Sequence, residues 1–211
     1  MPRITREEKA RNRQNIVEAA GRLFRAQGID AVGIADLMKE AGLTHGGFYN
    51  HFASKDDLAA EVCDASFTAS LGVLAQAVED GDAPAGSPLR RVVDDYLSAE
   101  HRDAPDGGCP SASLVIDAGR HDETIQRSYA AGVEGYLTGF AAELAREHDG
   151  EQDGRRDGEQ DGELAPQEAR ARAVLLLSRL VGAMVLARAV RDVEPDLSDE
   201  ILRTCRAHAL D

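Results

Sequence analysis

The chain contains the segment Ala41-Gly42-Leu43-Thr44-His45-Gly46-Gly47-Phe48-Tyr49-Asn50-His51-Phe52, which is followed by Ser54-Lys55. Phe48 and Phe52 are four positions apart, so they share one face of a helix, and we expect both to face inward. Gly42 suits the end of a preceding helix, and Thr44 suits the start of the next one. The segment therefore predicts a tight turn that leads into a helix of one to two turns.

Two amphipathic helices are predicted upstream of this segment. Apolar residues recur with helical spacing from about Arg6 to Ala26, and Gly28 supplies a stop. A second helix is predicted from about Ile34 to Ala41. Two short helices joined by a Gly-containing turn form a helix-turn-helix, whose second helix lies in the major groove of DNA. The pattern therefore predicts DNA binding.

The polar residues of the segment fall into groups by the DNA contact that their chemistry favours. Tyr, His and Lys donate hydrogen bonds to phosphate oxygens, which fixes the register of a protein on the duplex. Asn can pair bidentately with adenine, Thr can contact the thymine methyl group, and Gly lets the backbone approach closely. Taken alone, such a segment is also compatible with a plain loop between helices. The predicted phosphate contacts are Tyr49, His51 and Lys55, the predicted base contacts are Thr44, His45 and Asn50, and the predicted points of close approach are Gly46 and Gly47.

Charge is distributed unevenly along the chain. Residues 1–58 carry nine Lys and Arg against eight Asp and Glu, whereas the whole chain has a net charge of −14. Residues 1–25 have seven basic and three acidic residues, so this arm can lie along phosphates. A solvated helix face is the alternative for the same charges. The acidic remainder opposes nonspecific approach to nucleic acid.

At this point the chain resembles the TetR family of bacterial transcriptional repressors. The matching residues are Ile34-Ala35, Ala41-Gly42-Leu43-Thr44, Gly46 or Gly47, Phe48-Tyr49, His51-Phe52, Ser54-Lys55 and Leu58, and the resemblance covers roughly residues 10 to 60. It has two departures: Gly33 stands where the family usually has a capping Thr that can contact phosphate, and one extra residue separates Ala35 from Ala41. The resemblance implies an all-helical homodimer with one DNA-binding domain per subunit and a divergent domain that binds a small molecule.

Composition supports an all-α fold. Aromatic residues make up 4% of the chain, Trp is absent, and no strand-like alternation occurs. No apolar run of about 18 residues and no signal peptide is found, which predicts a cytoplasmic protein without a membrane partner. We expect about nine helices in two domains, a helix-turn-helix domain at residues 1–55 and an effector-binding and dimerisation domain at residues 56–211.

The remaining predicted helices span about 54–79, 88–100, 110–119, 123–147, 166–193 and 196–209. Their aromatic residues are more often plain core than cavity wall. The resemblance nevertheless favours an effector cavity among these helices, and a largely apolar cavity needs a few hydroxyl groups to orient its ligand. The candidate effector-binding residues are Phe67, Tyr96, Tyr129 and Tyr136.

Residues 147–162 contain four tetrapeptides that end in Asp-Gly. Their apolar content is too low for folding, so residues 147–164 are predicted to form an acidic flexible loop. A calcium site is the alternative, but the spacing does not match an EF-hand or the nonapeptide repeat. By contrast, the helix at 166–193 is apolar on more than one side, and with the last helix it is predicted to form half of an intersubunit four-helix bundle. Burial within one subunit is the alternative.

Cysteine and histidine spacings exclude the common catalytic and metal motifs. Cys63, Cys109 and Cys205 are far apart, and no H-E-x-x-H, G-x-S-x-G or phosphate-binding Gly loop occurs. We therefore expect neither an enzyme nor a cofactor. The three cysteines are expected to be ordinary thiols, with redox sensing at Cys109 as the alternative. The predicted function is a repressor that a small-molecule inducer releases from a palindromic operator. A ligand-dependent activator and a DNA-binding protein without an effector remain alternatives.

Overall fold

The computed structural model describes residues 5–79, 87–153 and 164–211, with the side chains of 77–79 and 149–153 excepted. These residues form ten α-helices and two short 3₁₀ helices and contain no strand, which confirms the predicted all-α fold. The α-helices are α1 (Arg6–Gln27), α2 (Ile34–Glu40), α3 (Lys55–Glu79), α4 (Pro88–Tyr96), α5 (Ala99–Asp103), α6 (Pro110–Ser113), α7 (Val115–Arg120), α8 (Glu123–Asp153), α9 (Pro166–Val190) and α10 (Pro195–Ala207), and the 3₁₀ helices are His45–Asn50 and Pro105–Gly107.

Two predicted helices are each divided in the structure. The helix predicted at 88–100 stops at Tyr96. Ser98 starts α5, because its hydroxyl accepts a hydrogen bond from the backbone amide of His101 at 3.1 Å. The helix predicted at 110–119 is interrupted at Leu114. There, the carbonyl of Ser111, four residues before Val115, accepts a hydrogen bond from Tyr129 Oη at 2.7 Å.

The prediction of a loop at residues 147–164 is wrong at its start, because α8 continues to Asp153. The four Asp-Gly tetrapeptides lie mostly outside the described residues, which resume at Leu164. Leu164 is buried, and α9 begins two residues later at Pro166, where a missing amide hydrogen does no harm.

The described residues form two compact units. The first consists of residues up to Ser70 together with Ala104–Gly132, and the second consists of Leu71–Asp103 together with Val133–Asp211. The first unit therefore includes more than the predicted domain at residues 1–55. Compactness does not test which residues bind DNA or an effector, so the functional boundary stays a prediction.

The first unit is built around one apolar core. Thr5 and Glu8 cap the start of α1 reciprocally, and Gly28 ends it with φ +86°. The turn after Gly28 is closed from α7, because Asp117 Oδ1 accepts the amide of Ile29 at 2.8 Å. Fully buried core residues from five helices meet here: Ile16, Phe24, Leu37, Met38, Phe48, Leu58 and Ile125.

The second unit contains α9 packed on α10. Ala173, Leu180 and Met184 are buried on α9, and Ser198 of α10 donates its hydroxyl to the carbonyl of Ala187 at 2.8 Å. Arg102 joins α5 to α10 through hydrogen bonds to Ser198 Oγ at 2.9 Å and Asp199 Oδ1 at 2.6 Å. Charge-assisted hydrogen bonds of this kind fix orientation as well as contributing energy.

Two helices are apolar enough to meet a length and hydropathy criterion for a membrane span. They are Lys55–Gln76, with mean hydropathy 1.4, and Pro166–Val190, with mean hydropathy 1.9. The expectation that no span-length apolar segment exists is therefore too strict. Core helices of soluble proteins meet the same criterion, and one face of α9 is already covered by α10.

Candidate nucleic-acid interface

The segment that the sequence singled out is a turn followed by a 3₁₀ helix. Gly42 has φ +70°, and the amide of Leu43 returns to the carbonyl of Met38 at 2.8 Å, which ends α2 sharply. Residues His45–Asn50 then form a six-residue helix of about two turns, the length expected, and its type is 3₁₀. The two consecutive glycines favour this outcome, because each weakens an α-helix by about 1 kcal/mol.

Aromatic side chains attach this 3₁₀ helix to the core of the first unit. Phe48 is fully buried and Phe52 is 3% exposed, and their ring centroids are 5.7 Å apart. The ring of Tyr49 packs edge-on against Phe48 at 5.2 Å, yet Tyr49 is 66% exposed. The predicted inward direction of the two phenylalanines is therefore confirmed. The same helix turns its polar residues outward.

The outward face carries the predicted base contacts. Thr44, His45 and Asn50 are exposed. A Cβ built on Gly46 would meet nothing within 4 Å, so the protein interior does not require glycine there, and the space outside it is open. Gly47 differs, because a Cβ there would lie 3.5 Å from the terminal methyl of Met38, an ordinary packing contact.

The side chain of Thr44 does not cap the 3₁₀ helix, contrary to the prediction. Thr44 occupies the N-cap position with extended backbone, but the start of the helix is held by the main chain, through the amide of Gly47 and the carbonyl of Thr44 at 2.9 Å. No cap hydrogen bond uses the Thr44 hydroxyl.

The predicted phosphate contacts occupy different surroundings. His51 is half-buried, and its Nδ1 is buried without a hydrogen-bond partner among the described residues. Burial, followed by the nearby charges of Lys9 and Arg13, lowers the pKa of His51 below its ordinary value of 6.5. His51 is therefore neutral at neutral pH and can offer a hydrogen bond but no charge. Lys55 is half-buried and places its ammonium 3.5 Å from the carbonyl of Asp30.

Arg13 is a residue that the sequence did not single out at this interface. Its guanidinium donates to the main-chain carbonyl of His51, pairs with the carboxylate of Glu61, and lies 4.1 Å from the centroid of the Phe52 ring. No local motif predicts these contacts, because Glu61 lies 48 positions away in the sequence.

The basic arm is smaller than the sequence suggested. Arg22 lies 3.4 Å from Glu40, and Arg25 donates to the Asp106 carbonyl and the Ser66 hydroxyl, both at 2.8 Å. Burial lowers the pKa of Arg25, as expected for a cation drawn into the unit. Arg3 lies outside the described residues. The basic residues of α1 that remain exposed near its start are Arg6, Lys9 and Arg11.

The four candidate effector-binding residues do not meet in one described cavity. Phe67 and Tyr129 pack edge-to-face at 5.4 Å, and Phe67 lies so close to Gly132 that a Cβ there would be 2.1 Å from its Cγ. Tyr136 stacks on Phe140 at 6.0 Å, and Tyr96 packs on His101 at 4.6 Å. The Tyr129 hydroxyl is already engaged by Ser111, and burial raises its pKa.

The second unit contains a groove of about 330 Å³ between α3 and α8 that includes none of these four residues. Leu71, Leu74 and Ala142 contribute apolar surface. Glu143, which is 5% exposed, and its ion-pair partner Arg146 contribute charge. A sequence pattern could not single out this groove, because Leu71, Leu74 and Ala142 resemble ordinary core residues.

The three cysteines are free thiols. In the described part of the chain no three His, Cys, Asp or Glu residues lie where they could share a metal ion. Cys63 and Cys109 are buried, and burial raises the pKa of Cys63 to about 12. The Cys109 Sγ lies 2.8 Å from Ser111 Oγ.

Comparisons with known proteins agree with this arrangement. Residues 16–62 match the family model described as bacterial regulatory proteins, tetR family. The chain is 39% identical over 66 residues to the HTH-type transcriptional regulator AcrR of Shigella flexneri, a match that covers 31% of each protein. It is 28% identical over 193 residues to the uncharacterized HTH-type transcriptional regulator Rv0196 of Mycobacterium tuberculosis, covering 90% of this chain and 92% of that protein.

Solved structures show the same fold. NemR of E. coli in its reduced form superposes with a TM-score of 0.72 at 18% identity, covering 93% of this chain and 95% of that one. A TetR-family regulator from Cytophaga hutchinsonii superposes with a TM-score of 0.72 at 17% identity, covering 99% of this chain and 96% of that one. At these identities the likeness concerns the fold. The sequence match at residues 16–62 relates the amino-terminal part of the chain to the tetR family of bacterial regulatory proteins, and the whole chain has the fold of the TetR-family structure with which it superposes.

Proposed function

We propose that this protein is a sequence-specific transcriptional repressor that binds a palindromic operator as a homodimer and leaves it when a small molecule binds. The observation that carries the proposal is the 3₁₀ helix at His45–Asn50, whose Phe48 is buried and whose polar residues are exposed. These exposed polar residues are not part of the apolar core. Their residue types suit the edges of base pairs and the phosphates beside them.

The side chains have separate roles in this proposal. Thr44, His45 and Asn50 contact base edges, and Gly46 and Gly47 let the backbone approach the duplex. The exposed hydroxyl of Tyr49 donates to a phosphate oxygen. His51 and Lys55 also contact phosphates, and His51 does so as a neutral hydrogen-bond donor because its pKa is lowered.

A second copy of the chain is the proposed partner of α9 and α10. Leu175 and Leu186 are 57% and 58% exposed on α9, and Leu197 of α10 is 43% exposed. Aliphatic side chains left on the surface of long helices are suited to an apolar interface between subunits. Two copies would present two copies of the helix His45–Asn50, the recognition helix of this proposal. Half-sites one DNA turn apart, about 34–36 Å, are then read as a palindrome.

The effector is proposed to bind in the second unit. Its described part contains the groove beside Leu71 and Leu74 as well as the buried Tyr136. Both α3 and α8 contribute residues to each of the two units, so a shift of either helix on binding reaches the DNA-binding unit through the continuous chain. We propose no catalytic role and no cofactor, and we place the protein in the cytoplasm.

Selection from a pool of randomised duplexes tests the proposal. Purified full-length protein is expected to enrich one palindromic sequence at moderate ionic strength, and footprinting should show two half-sites about one turn apart. No enrichment of any sequence would contradict the proposal, and sequence-blind binding would indicate an architectural protein. Small molecules that raise the melting temperature of the protein are then added to the complex. Release of DNA supports a repressor, and tighter binding supports an activator.

A further inference from the structure

We propose that Arg13 is a positioning residue of the DNA-binding surface, which fixes the end of the recognition helix without contacting DNA itself. The inference rests on the proposed function, since it concerns how that surface is held. Arg13 belongs to the basic arm that the sequence assigned to phosphate binding. In the structure its guanidinium is directed at three groups of the protein instead.

The three groups belong to the two segments that the recognition helix leads into. The His51 carbonyl and the Phe52 ring lie at the end of the recognition helix, and Glu61 lies in the second turn of α3. The guanidinium is planar and has five donors, so it can donate to a carbonyl and a carboxylate while its face covers an aromatic ring. A lysine ammonium cannot do this at one position.

The location explains why these contacts matter for DNA binding. The 3₁₀ helix has six residues, and at its end the backbone amides of His51 and Phe52 donate hydrogen bonds to the carbonyl of Phe48 at 2.9 and 3.1 Å. Such a short helix cannot maintain its own direction, because 3₁₀ hydrogen bonds are poorer than α-helical ones. The buried ring of Phe48 anchors the helix in the core, and Arg13 fixes its end through the His51 carbonyl. Loss of Arg13 would let Asn50 and His51 move relative to Tyr49.

Arg13 also acts on the charge state of His51. Its positive charge contributes to lowering the pKa of His51, together with burial and Lys9. A neutral imidazole carries its one hydrogen on either Nδ1 or Nε2. Because Nδ1 of His51 is buried without a partner among the described residues, we assign the hydrogen to Nε2, which can then donate it to a phosphate.

Glu61 provides the decisive test because two explanations predict opposite signs. If charge alone governs binding, Glu61→Gln removes a negative charge near DNA and should strengthen the complex. If Arg13 must be held in place, the same substitution should weaken it. We expect Glu61→Gln to lower the affinity of the full-length protein for its selected duplex about threefold, and Arg13→Gln to lower it about tenfold. Glu18→Gln, an exposed acid on α1, is the matched control and should not weaken binding.

Salt dependence separates positioning from phosphate contact. Lys9→Gln should reduce the slope of log affinity against log salt by about 1, as loss of a phosphate contact does. Arg13→Lys and Arg13→Gln should lower affinity at unchanged slope. Arg13→Lys keeps the charge but loses the planar fork, so it should retain the lowered pKa of His51, measured by NMR titration, whereas Arg13→Gln should raise it. Backbone amide signals of Tyr49 to Phe52 should move in both variants.

Three results would overturn the proposal. The first is a fall of the salt slope by about 1 in Arg13→Gln, which would make Arg13 a phosphate contact. The second is an affinity loss that disappears when binding is corrected for the folded fraction, which would make its role purely one of stability. If the unmodified protein selects no duplex, the proposed function fails, whereas unmoved amide signals in a protein that does select one refute the positioning role alone.

Discussion

The 3₁₀ helix at His45–Asn50 and the long helix α9 both bury one face and expose another, but the exposed faces differ in chemistry. The first exposes a hydroxyl, an imidazole and an amide around Gly46, whereas α9 exposes Val174, Leu175 and Leu186. Polar groups beside open space suit a polar, grooved partner, and aliphatic side chains suit another apolar surface. Within one chain, the chemistry of the unused face therefore predicts the kind of partner, DNA in one case and a second copy in the other.

The largest expected effect comes from breaking the buried half of the recognition helix. Phe48→Ala removes a fully buried ring and should lower the free energy of unfolding by about 3–5 kcal/mol, because a cavity remains in the core. Denaturant titration measures this loss. Tyr49→Ala is the matched control, since its ring is largely exposed, and it should change stability by less than about 1 kcal/mol. Equal losses in the two variants would contradict the division into a buried and an exposed face.

A charged substitution tests the role of the exposed apolar face of α9. Leu186→Glu places a carboxylate in the proposed interface and should weaken self-association at least about tenfold, because the charge would be buried without a partner. Sedimentation measures the fraction of dimer. Val73→Glu, at a still more exposed valine of α3, should leave the association unchanged. A dimer unaffected by Leu186→Glu would assign the interface to another surface.

The exposed face of the recognition helix is tested with Tyr49→Ala. Loss of one phosphate contact should weaken binding about fivefold, and equally for all duplexes, since phosphates carry no sequence information. Competition assays with the selected operator and with single-base variants measure both effects. A loss confined to one operator position would instead assign Tyr49 to a base.

The smallest expected effect concerns pH. His51 and His101 have pKa values below 6.5 in the folded protein, mainly through burial, so the unfolded chain binds protons more readily. Stability should therefore fall as pH decreases through about 6.5, the ordinary histidine pKa. Urea titrations at pH 7.5 and 5.5 measure the difference. It should shrink in His51→Asn relative to the unmodified protein, and an unchanged difference would contradict a contribution from His51.

Local signals made the helix-turn-helix predictable from the sequence. Gly28 and Gly42 adopt positive φ as their positions suggested, and the spacing of Phe48 and Phe52 gave their burial. The breaks at Ser98 and Leu114 were not predictable in the same way. The second depends on Tyr129, which is 18 positions from its acceptor Ser111. The contacts of Arg13 were also beyond the sequence, because its charge gives no indication of which acceptors the fold brings near it.

The hydrogen bond from the Ile29 amide to Asp117 has a consequence for engineering. A chimeric regulator that joined residues 1–55 to an unrelated sensor would leave this amide without its acceptor and would uncover the core where Leu114, Ala118 and Ile125 belong. Grafts that carry residues 104–132 along with the amino-terminal helices retain both. The transplantable unit is thus discontinuous, and swapping experiments should be designed around that.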